Sequence, residues 1–88
     1  MMKKLDLVFK GEAWADYQYW QTQDRKTLKR VNKLITDTLR NPFTGLGEPE
    51  PLQHELSGYW SRRIDETNRM VYCVLTDYIE IIQLRFHY

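Results

Sequence analysis

The fold is decided by residues 59–86, which read YWSRRIDETNRMVYCVLTDYIEIIQLRF. Three parts of this stretch, at 59–64, 69–75 and 78–86, are rich in β-branched and aromatic residues, and two short polar segments separate them. Such residues favour strands, and short polar connections favour turns. The stretch therefore predicts three consecutive antiparallel strands, with the last strand continuing almost to the C-terminus.

The preceding residues predict one more strand and two helices. Residues 5–9 have the alternation of a strand, and apolar residues then recur at helical spacing over 11–22 and 24–41. Asp24 is a candidate N-cap for the second helix, and Asn41-Pro42 ends it. The order β-α-α-β-β-β predicts an α+β fold in which two helices pack on one face of a twisted antiparallel sheet.

Length and composition exclude several classes of protein. The chain has 88 residues and a net charge of +1, so we expect a single domain over 1–88 with neither a polybasic tail nor an acidic one. One cysteine excludes an internal disulfide and a cysteine-based zinc site. The longest apolar run, 70–75, is far shorter than the ~20 residues that span a membrane. The N-terminus lacks the apolar segment of a signal peptide, so we expect a cytoplasmic protein without a membrane partner.

Two places in the sequence could supply acid–base chemistry. Glu50 lies between two prolines in the loop 42–51, and their rigid backbone would orient its carboxylate as a general base. The alternative is a solvated glutamate in a connecting loop. The chain ends with His87-Tyr88, which offers an imidazole that titrates near neutral pH and a phenol. A frayed tail or an aromatic cap on the core is the alternative there.

Arginines are concentrated around the last three strands. Alternation places Arg62 and Arg63 on opposite faces of the sheet, and Arg69 and Arg85 follow on the next strands. Either they bind an anion or they form surface ion pairs, with candidate partners Asp65, Glu66 and Glu80.

These residues fit metal-free cleavage of RNA, in which the ribose 2′-hydroxyl attacks the adjacent phosphate. Glu50 would be the base and His87 the acid, while Arg63 and Arg69 would stabilise the charge on the transition state. Tyr88 could stack on a base or take part in proton transfer. His54, His87 and Glu55 do not have metal-ligand spacing, so we predict no metal and no cofactor.

Several motifs together resemble the YoeB toxins of the RelE superfamily. They are PEPL at 49–52, SGYWSRRI at 57–64, RMVY at 69–72 and RFHY at 85–88. The resemblance covers about residues 5–88. It implies a microbial-ribonuclease-like fold and a ribosome-dependent mRNA interferase of a type II toxin–antitoxin system, which cuts the codon in the ribosomal A site.

The resemblance also implies partners and site residues. A YefM-like antitoxin would neutralise the toxin, and the toxin would form a homodimer. The catalytic set implied by position is Glu50, Arg63, Arg69, His87 and Tyr88. We expect the antitoxin to contribute a segment that folds on binding and covers or displaces the terminal pair.

Further RNA contacts are predicted outside this set. Gln53 stands where the family often has a lysine, so its phosphate contact could be weaker, and His54 lies beside it. Residues 24–41 carry six basic and two acidic side chains. The basic face of this helix could contact ribosomal RNA or could be a solvated surface. Its candidate contacts are Lys26, Lys29, Arg30 and Lys33.

Two other functions are consistent with the sequence. A non-catalytic module could bind RNA or the ribosome and block translation, in which case Glu50 and His87 would tolerate substitution. A ribonuclease that needs no ribosome would cleave free RNA at a comparable rate.

Overall fold

A computed structural model describes residues 4–86. Its helices are α1 (Ala13–Gln23) and α2 (Arg25–Arg40), and a short 3-10 helix spans His54–Leu56. Its strands are β1 (Asp6–Phe9), β2 (Glu50–Pro51), β3 (Trp60–Arg63), β4 (Arg69–Val74) and β5 (Tyr78–Gln83). The predicted order is confirmed, with the two-residue strand β2 added inside the proline-rich loop.

The sheet is mixed, with the strand order β1-β5-β4-β3-β2. β2 to β5 pair antiparallel as predicted. The prediction of an antiparallel sheet is wrong for β1, which pairs parallel with β5 at the sheet edge. Alternation along a strand sets which side chains face the core but not the direction of the neighbouring strand, so the sequence did not reveal this pairing.

The boundaries of the helices follow from their end residues. Asp24 caps α2 as predicted, because its Oδ1 accepts a hydrogen bond from Thr27 N at 3.0 Å. α1 begins at residue 13 rather than 11, because Gly11 has a left-handed backbone with φ +61° that cannot continue into a helix. No helix within residues 4–86 has the length and apolarity needed to cross a membrane.

The core lies between the helices and one face of the sheet. It is built from apolar side chains of α1, α2, β4, β5 and the segments that follow β3 and β5. Its members are Ala13, Trp20, Val31, Leu34, Ile35, Ile64, Met70, Tyr72, Ile79, Ile81 and Leu84. Within residues 4–86, α1 and α2 both pack on the core side of the sheet, and the opposite face is called the helix-free face below.

β5 ends at Gln83, so the prediction that it continues almost to the C-terminus is wrong. The pairing of β4 with β5 shifts its register between Val71 and Tyr72, and the Leu84 N–H turns to a carboxylate of α1 instead of the sheet. Residues 84–86 therefore leave the strand, and they are called the C-terminal tail. His87 and Tyr88 themselves lie outside the described residues.

Candidate active site

Strand pairing brings three of the predicted catalytic side chains onto the helix-free face. In β4, Met70 and Tyr72 belong to the core, so Arg69 points to the other side of the sheet. Arg63 of β3 lies directly opposite Arg69. Glu50 of β2 is on the same face, because it pairs with Ser61, which lies two residues before Arg63 in β3.

The spacing of these side chains follows from the pairing. Directly opposite residues in an antiparallel pair have Cβ atoms about 4.5–5.5 Å apart. The side chains of Arg63 and Arg69 therefore leave the sheet at neighbouring positions. Like charges directly opposite each other destabilise a sheet unless an anion lies between them. The arrangement favours a bound anion.

Backbone hydrogen bonds on both sides of Glu50 fix its segment at the edge of the sheet. The Arg63 N–H donates to the Gly47 carbonyl at 2.7 Å, and the Leu52 N–H donates to the Tyr59 carbonyl at 2.9 Å. Glu50 itself has the extended backbone that its flanking prolines predict, and its side chain is exposed. The carboxylate thus projects from a fixed backbone.

The two arginines of the helix-free face differ in their surroundings. The Arg63 side chain is 49% exposed, and its Nη2 lies 3.8 Å from Glu48 Oε2. Arg69 Nε is buried and has no hydrogen-bond acceptor among the described residues. A buried N–H group without an acceptor is uncommon in proteins and marks a place where a bound anion would be stabilised.

Phe86 lies beside Arg69. The Phe86 carbonyl accepts hydrogen bonds from the Arg69 backbone N–H and from Gln83 Nε2, both at 3.0 Å. The Phe86 N–H donates to Asn68 Oδ1 at 2.7 Å. Phe86 is therefore held against the first residue of β4, beside the arginine pair.

The other predicted RNA contacts form two groups. Gln53 and His54 are exposed in the turn after β2. The lysines at 26, 29 and 33 are exposed on α2, which packs on the opposite side of the sheet from Glu50. The structure thus separates the lysines of α2 from Glu50.

Arg30 does not share the environment of these lysines. It is half-buried, and its guanidinium donates to the backbone carbonyls of Arg63 at 3.1 Å and Ile64 at 3.4 Å. It therefore joins α2 to the end of β3. The helical spacing of the basic residues did not reveal these carbonyl contacts, and the RNA contact of Arg30 stays a prediction.

Arg62 has a structural role that the sequence analysis missed. Its side chain is fully buried, and Nη1 lies 2.7 Å from Asp37 Oδ2. The guanidinium also donates to backbone carbonyls of the loop after α2 and to the Tyr72 hydroxyl. Arg62 and Arg63 point to opposite faces as predicted. The ion pairs of these two arginines differ from the predicted alternatives, which were Asp65, Glu66 and Glu80. Arg62 pairs with Asp37, and Arg63 pairs with Glu48.

Cys73 has the environment of an unreactive thiol. It is half-buried in β4, and burial followed by the nearby Glu80 carboxylate raises its pKa above the ordinary value. A raised pKa lowers the fraction of the nucleophilic thiolate. Within residues 4–86, His, Cys, Asp and Glu side chains form no cluster that could hold a metal ion.

Comparison with known proteins connects this site to a family. Residues 9–88 match the family model of the YoeB-like toxin of bacterial type II toxin–antitoxin systems. The chain belongs to this family. Toxin YoeB of Escherichia coli K12 is 51% identical over 84 residues, which cover 96% of this chain and all of that toxin. Toxin YoeB of Streptomyces coelicolor is 52% identical over 82 residues, covering 93% of this chain and 98% of that toxin.

Solved structures of YoeB toxins share the fold. A YoeB/ParE toxin from Agrobacterium tumefaciens superposes with a TM-score of 0.93 at 45% identity, covering 96% of this chain and all of that one. A YoeB dimer from Staphylococcus aureus gives 0.89 at 40% identity, covering 97% and 99%. YoeB in a YoeB–YefM complex from the same species gives 0.87 at 39% identity, covering 96% and 98%. The predicted RelE-like α+β fold is confirmed.

Proposed function

We propose that this YoeB-family toxin is a ribosome-dependent endoribonuclease that cleaves mRNA in the ribosomal A site and thereby stops translation. The observation that carries the proposal is the common position of Glu50, Arg63 and Arg69 on the helix-free face. The hydrogen bond that holds Phe86 beside Arg69 supports it further.

Each step of the reaction has a group suited to it. Glu50 removes the proton of the ribose 2′-hydroxyl, and the 2′-oxygen attacks the adjacent phosphorus. Arg63 and Arg69 stabilise the extra negative charge that develops on the phosphate oxygens. His87 protonates the 5′-oxygen as its bond to phosphorus breaks, and Tyr88 stacks on a nucleobase. The products are a 2′,3′-cyclic phosphate and a 5′-hydroxyl, and no metal takes part.

A second surface would hold the ribosome. Exposed Lys26, Lys29 and Lys33 form a basic row on α2, and binding of clustered cations to RNA phosphates releases counterions. Gln53 and His54 lie next to the Glu50 loop and would contact the mRNA backbone. Because α2 and Glu50 lie on opposite sides of the sheet, the toxin could contact ribosomal RNA with one side and mRNA with the other.

The proposed partners follow from the relatives. YoeB toxins of S. aureus are found as a dimer and in complex with YefM. We therefore assign this chain a homodimer and a YefM-like antitoxin that covers or displaces His87 and Tyr88. The bacterial ribosome with its mRNA is the substrate, which places the activity in the cytoplasm.

Mapping of RNA 5′ ends tests the proposal. Primer extension would compare mRNA on programmed bacterial ribosomes with the same mRNA free in solution, for the wild type and for Glu50→Gln and His87→Gln. We expect new ends in the A-site codon only with ribosomes, and a loss of rate of about a hundredfold or more in each variant. Glu55→Gln, an exposed glutamate near Glu50, is the matched control and should cleave like the wild type.

Other outcomes would change the assignment. Stalled translation without new ends would show a module that binds and blocks. Cleavage of free RNA at a comparable rate would show a ribonuclease that does not need the ribosome.

A further inference from the structure

We propose that Asp16 and Trp20 of α1, together with Asn68, form a latch that positions the C-terminal tail for catalysis. The inference rests on the proposed function, because His87 and Tyr88, the proposed catalytic pair, follow the tail in the sequence. These three residues are positioning residues, since they hold the tail backbone and are not proposed to touch RNA.

The latch grips both backbone polar groups of Leu84. The Leu84 N–H donates to Asp16 Oδ2 at 3.0 Å, and Trp20 Nε1 donates to the Leu84 carbonyl at 2.8 Å. Asp16 and Trp20 are four residues apart on α1, which places them on one face of the helix. Both are buried, with 8% and 6% of their surface exposed. The Asp16 carboxylate and the Trp20 indole thus supply the hydrogen bonds of Leu84 at the point where strand pairing along β5 stops.

Arg85 is held through its side chain. Its guanidinium carbon lies 3.4 Å from the centroid of the Tyr19 ring, which is also on α1, and 4.4 Å from the Phe86 ring. A guanidinium over an aromatic face is attracted by the ring electrons. The same helix therefore contacts two consecutive residues of the tail.

Phe86 is fixed in an unusual backbone conformation. Its φ is +66°, in the left-handed region that bulky residues seldom occupy. Hydrogen bonds on its N–H and its carbonyl hold it there, through Asn68 and Arg69 respectively. Strain of this kind persists only where the surroundings fix the backbone, and it is concentrated at functional sites.

The burial of Asp16 suggests a purpose other than stability. Burial raises the pKa of this carboxyl above its ordinary value, although the Leu84 N–H opposes the shift, and Glu12 and Arg85 act on it with opposite signs. A carboxyl whose charged form is disfavoured by burial is a weak choice for stabilising a core. The Asp16 carboxylate instead holds the backbone of the tail, and residues near a chain terminus otherwise tend to be poorly ordered.

Two readouts on matched variants test the latch. Asp16→Ala removes the acceptor for the Leu84 N–H, and Asp16→Asn keeps an acceptor oxygen. Trp20→Phe removes the indole donor together with part of a buried ring. Tyr17→Phe is the control, because the hydrogen bond that it removes joins the same helix to Asn32 of α2 and not to the tail. All four chains are compared with the wild type.

Amide hydrogen exchange is the first readout. In Asp16→Ala we expect the Leu84 amide to exchange about tenfold faster or more, while the core amide of Tyr72 changes by less than about twofold. Asp16→Asn should restore much of the protection, and Tyr17→Phe should leave the Leu84 amide unchanged. Unchanged exchange at Leu84, or equal acceleration at Leu84 and Tyr72, would overturn the latch.

Single-turnover RNA cleavage at saturating ribosomes is the second readout. We expect the cleavage rate to fall by about tenfold or more in Asp16→Ala and Trp20→Phe, with half-saturating ribosome concentration within about twofold of the wild type. An unchanged rate in a chain with a released Leu84 amide would refute the positioning role. If the wild type cleaves no RNA, the proposed function fails and the catalytic purpose fails with it. The exchange data still decide whether α1 holds the tail.

Discussion

Substitution of Arg62 by methionine should destabilise the protein strongly, although Arg62 belongs to a pair of adjacent arginines. The side chain is fully buried and donates to Asp37, to the Tyr72 hydroxyl and to backbone carbonyls of the loop after α2. Methionine fills a similar volume but donates to none of them. Removing one partner of a buried ion pair costs about 3–5 kcal/mol, because the remaining polar groups stay buried without a donor.

The adjacent arginine supplies the matched comparison. Arg63 is 49% exposed and lies 3.8 Å from Glu48, so Arg63→Met should cost less than about 1 kcal/mol. In a chain of this size, 1 kcal/mol changes the melting temperature by roughly 4–8 °C. Arg62→Met should therefore lower the melting temperature by at least about 12 °C.

Thermal unfolding followed by circular dichroism at pH 7 measures both variants. Activity should show the opposite order, because only Arg63 lies on the helix-free face. Two equal decreases in melting temperature would refute the reasoning, and so would a larger decrease for Arg63→Met.

Three further predictions concern stability. Gly47→Ala should lower the melting temperature by at least about 4 °C more than Gly58→Ala, because both glycines have positive φ but only at Gly47 would a Cβ lie 2.8 Å from a leucine methyl of α2. Equal decreases would contradict this. Asp24→Ala should cost about 1 kcal/mol in urea unfolding through the loss of its capping bond, and Glu12→Ala should cost less because Glu12 makes none; the reverse order would refute the capping role. A backbone N–H and then a guanidinium hold the pKa of Asp37 below its ordinary value, so the stability it contributes is present above about pH 3.9 and is lost as pH falls through the folded pKa. Asp37→Asn should flatten that part of the curve of unfolding free energy against pH, and an unchanged slope would argue against the shift.

Local signals in the sequence predicted much of the fold. Asp24 before an amphipathic segment predicted a helix start, and the polar residues 65–68 between two apolar runs predicted a turn. Asp65 closes that turn by accepting hydrogen bonds from the backbone N–H groups of Thr67 and Asn68. Capping and turn formation involve residues a few positions apart, so a single stretch of sequence contains the whole interaction.

Interactions between distant residues were not predictable in this way. The Leu84 N–H and the Asp16 carboxylate are 68 positions apart, and the Arg62 guanidinium and Asp37 are 25 apart. Their partners depend on how the helices pack against the sheet. Alternation did place Arg62 on the face opposite Arg63, and a buried arginine requires a partner, but the sequence did not identify Asp37.

The candidate site was predictable in its residues but not in its arrangement. Pattern and resemblance singled out Glu50, Arg63 and Arg69, and the strand register places them on the helix-free face. The catalytic roles of these three residues, and those of His87 and Tyr88 outside the described residues, stay predictions. The latch on the tail gave no sequence signal, since Asp16 and Trp20 read only as parts of an amphipathic helix.

The central claim is that the ribose 2′-hydroxyl of the mRNA is the nucleophile, and one measurement tests it directly. The ribosome would be programmed with an mRNA that carries a single 2′-deoxynucleotide at the mapped cleavage position of the A-site codon. Its cleavage would be compared with that of the all-ribose mRNA, with toxin binding to the ribosome measured in parallel. The account predicts unchanged binding and no new 5′ end at the substituted position. Cleavage at that position at the wild-type rate would contradict it.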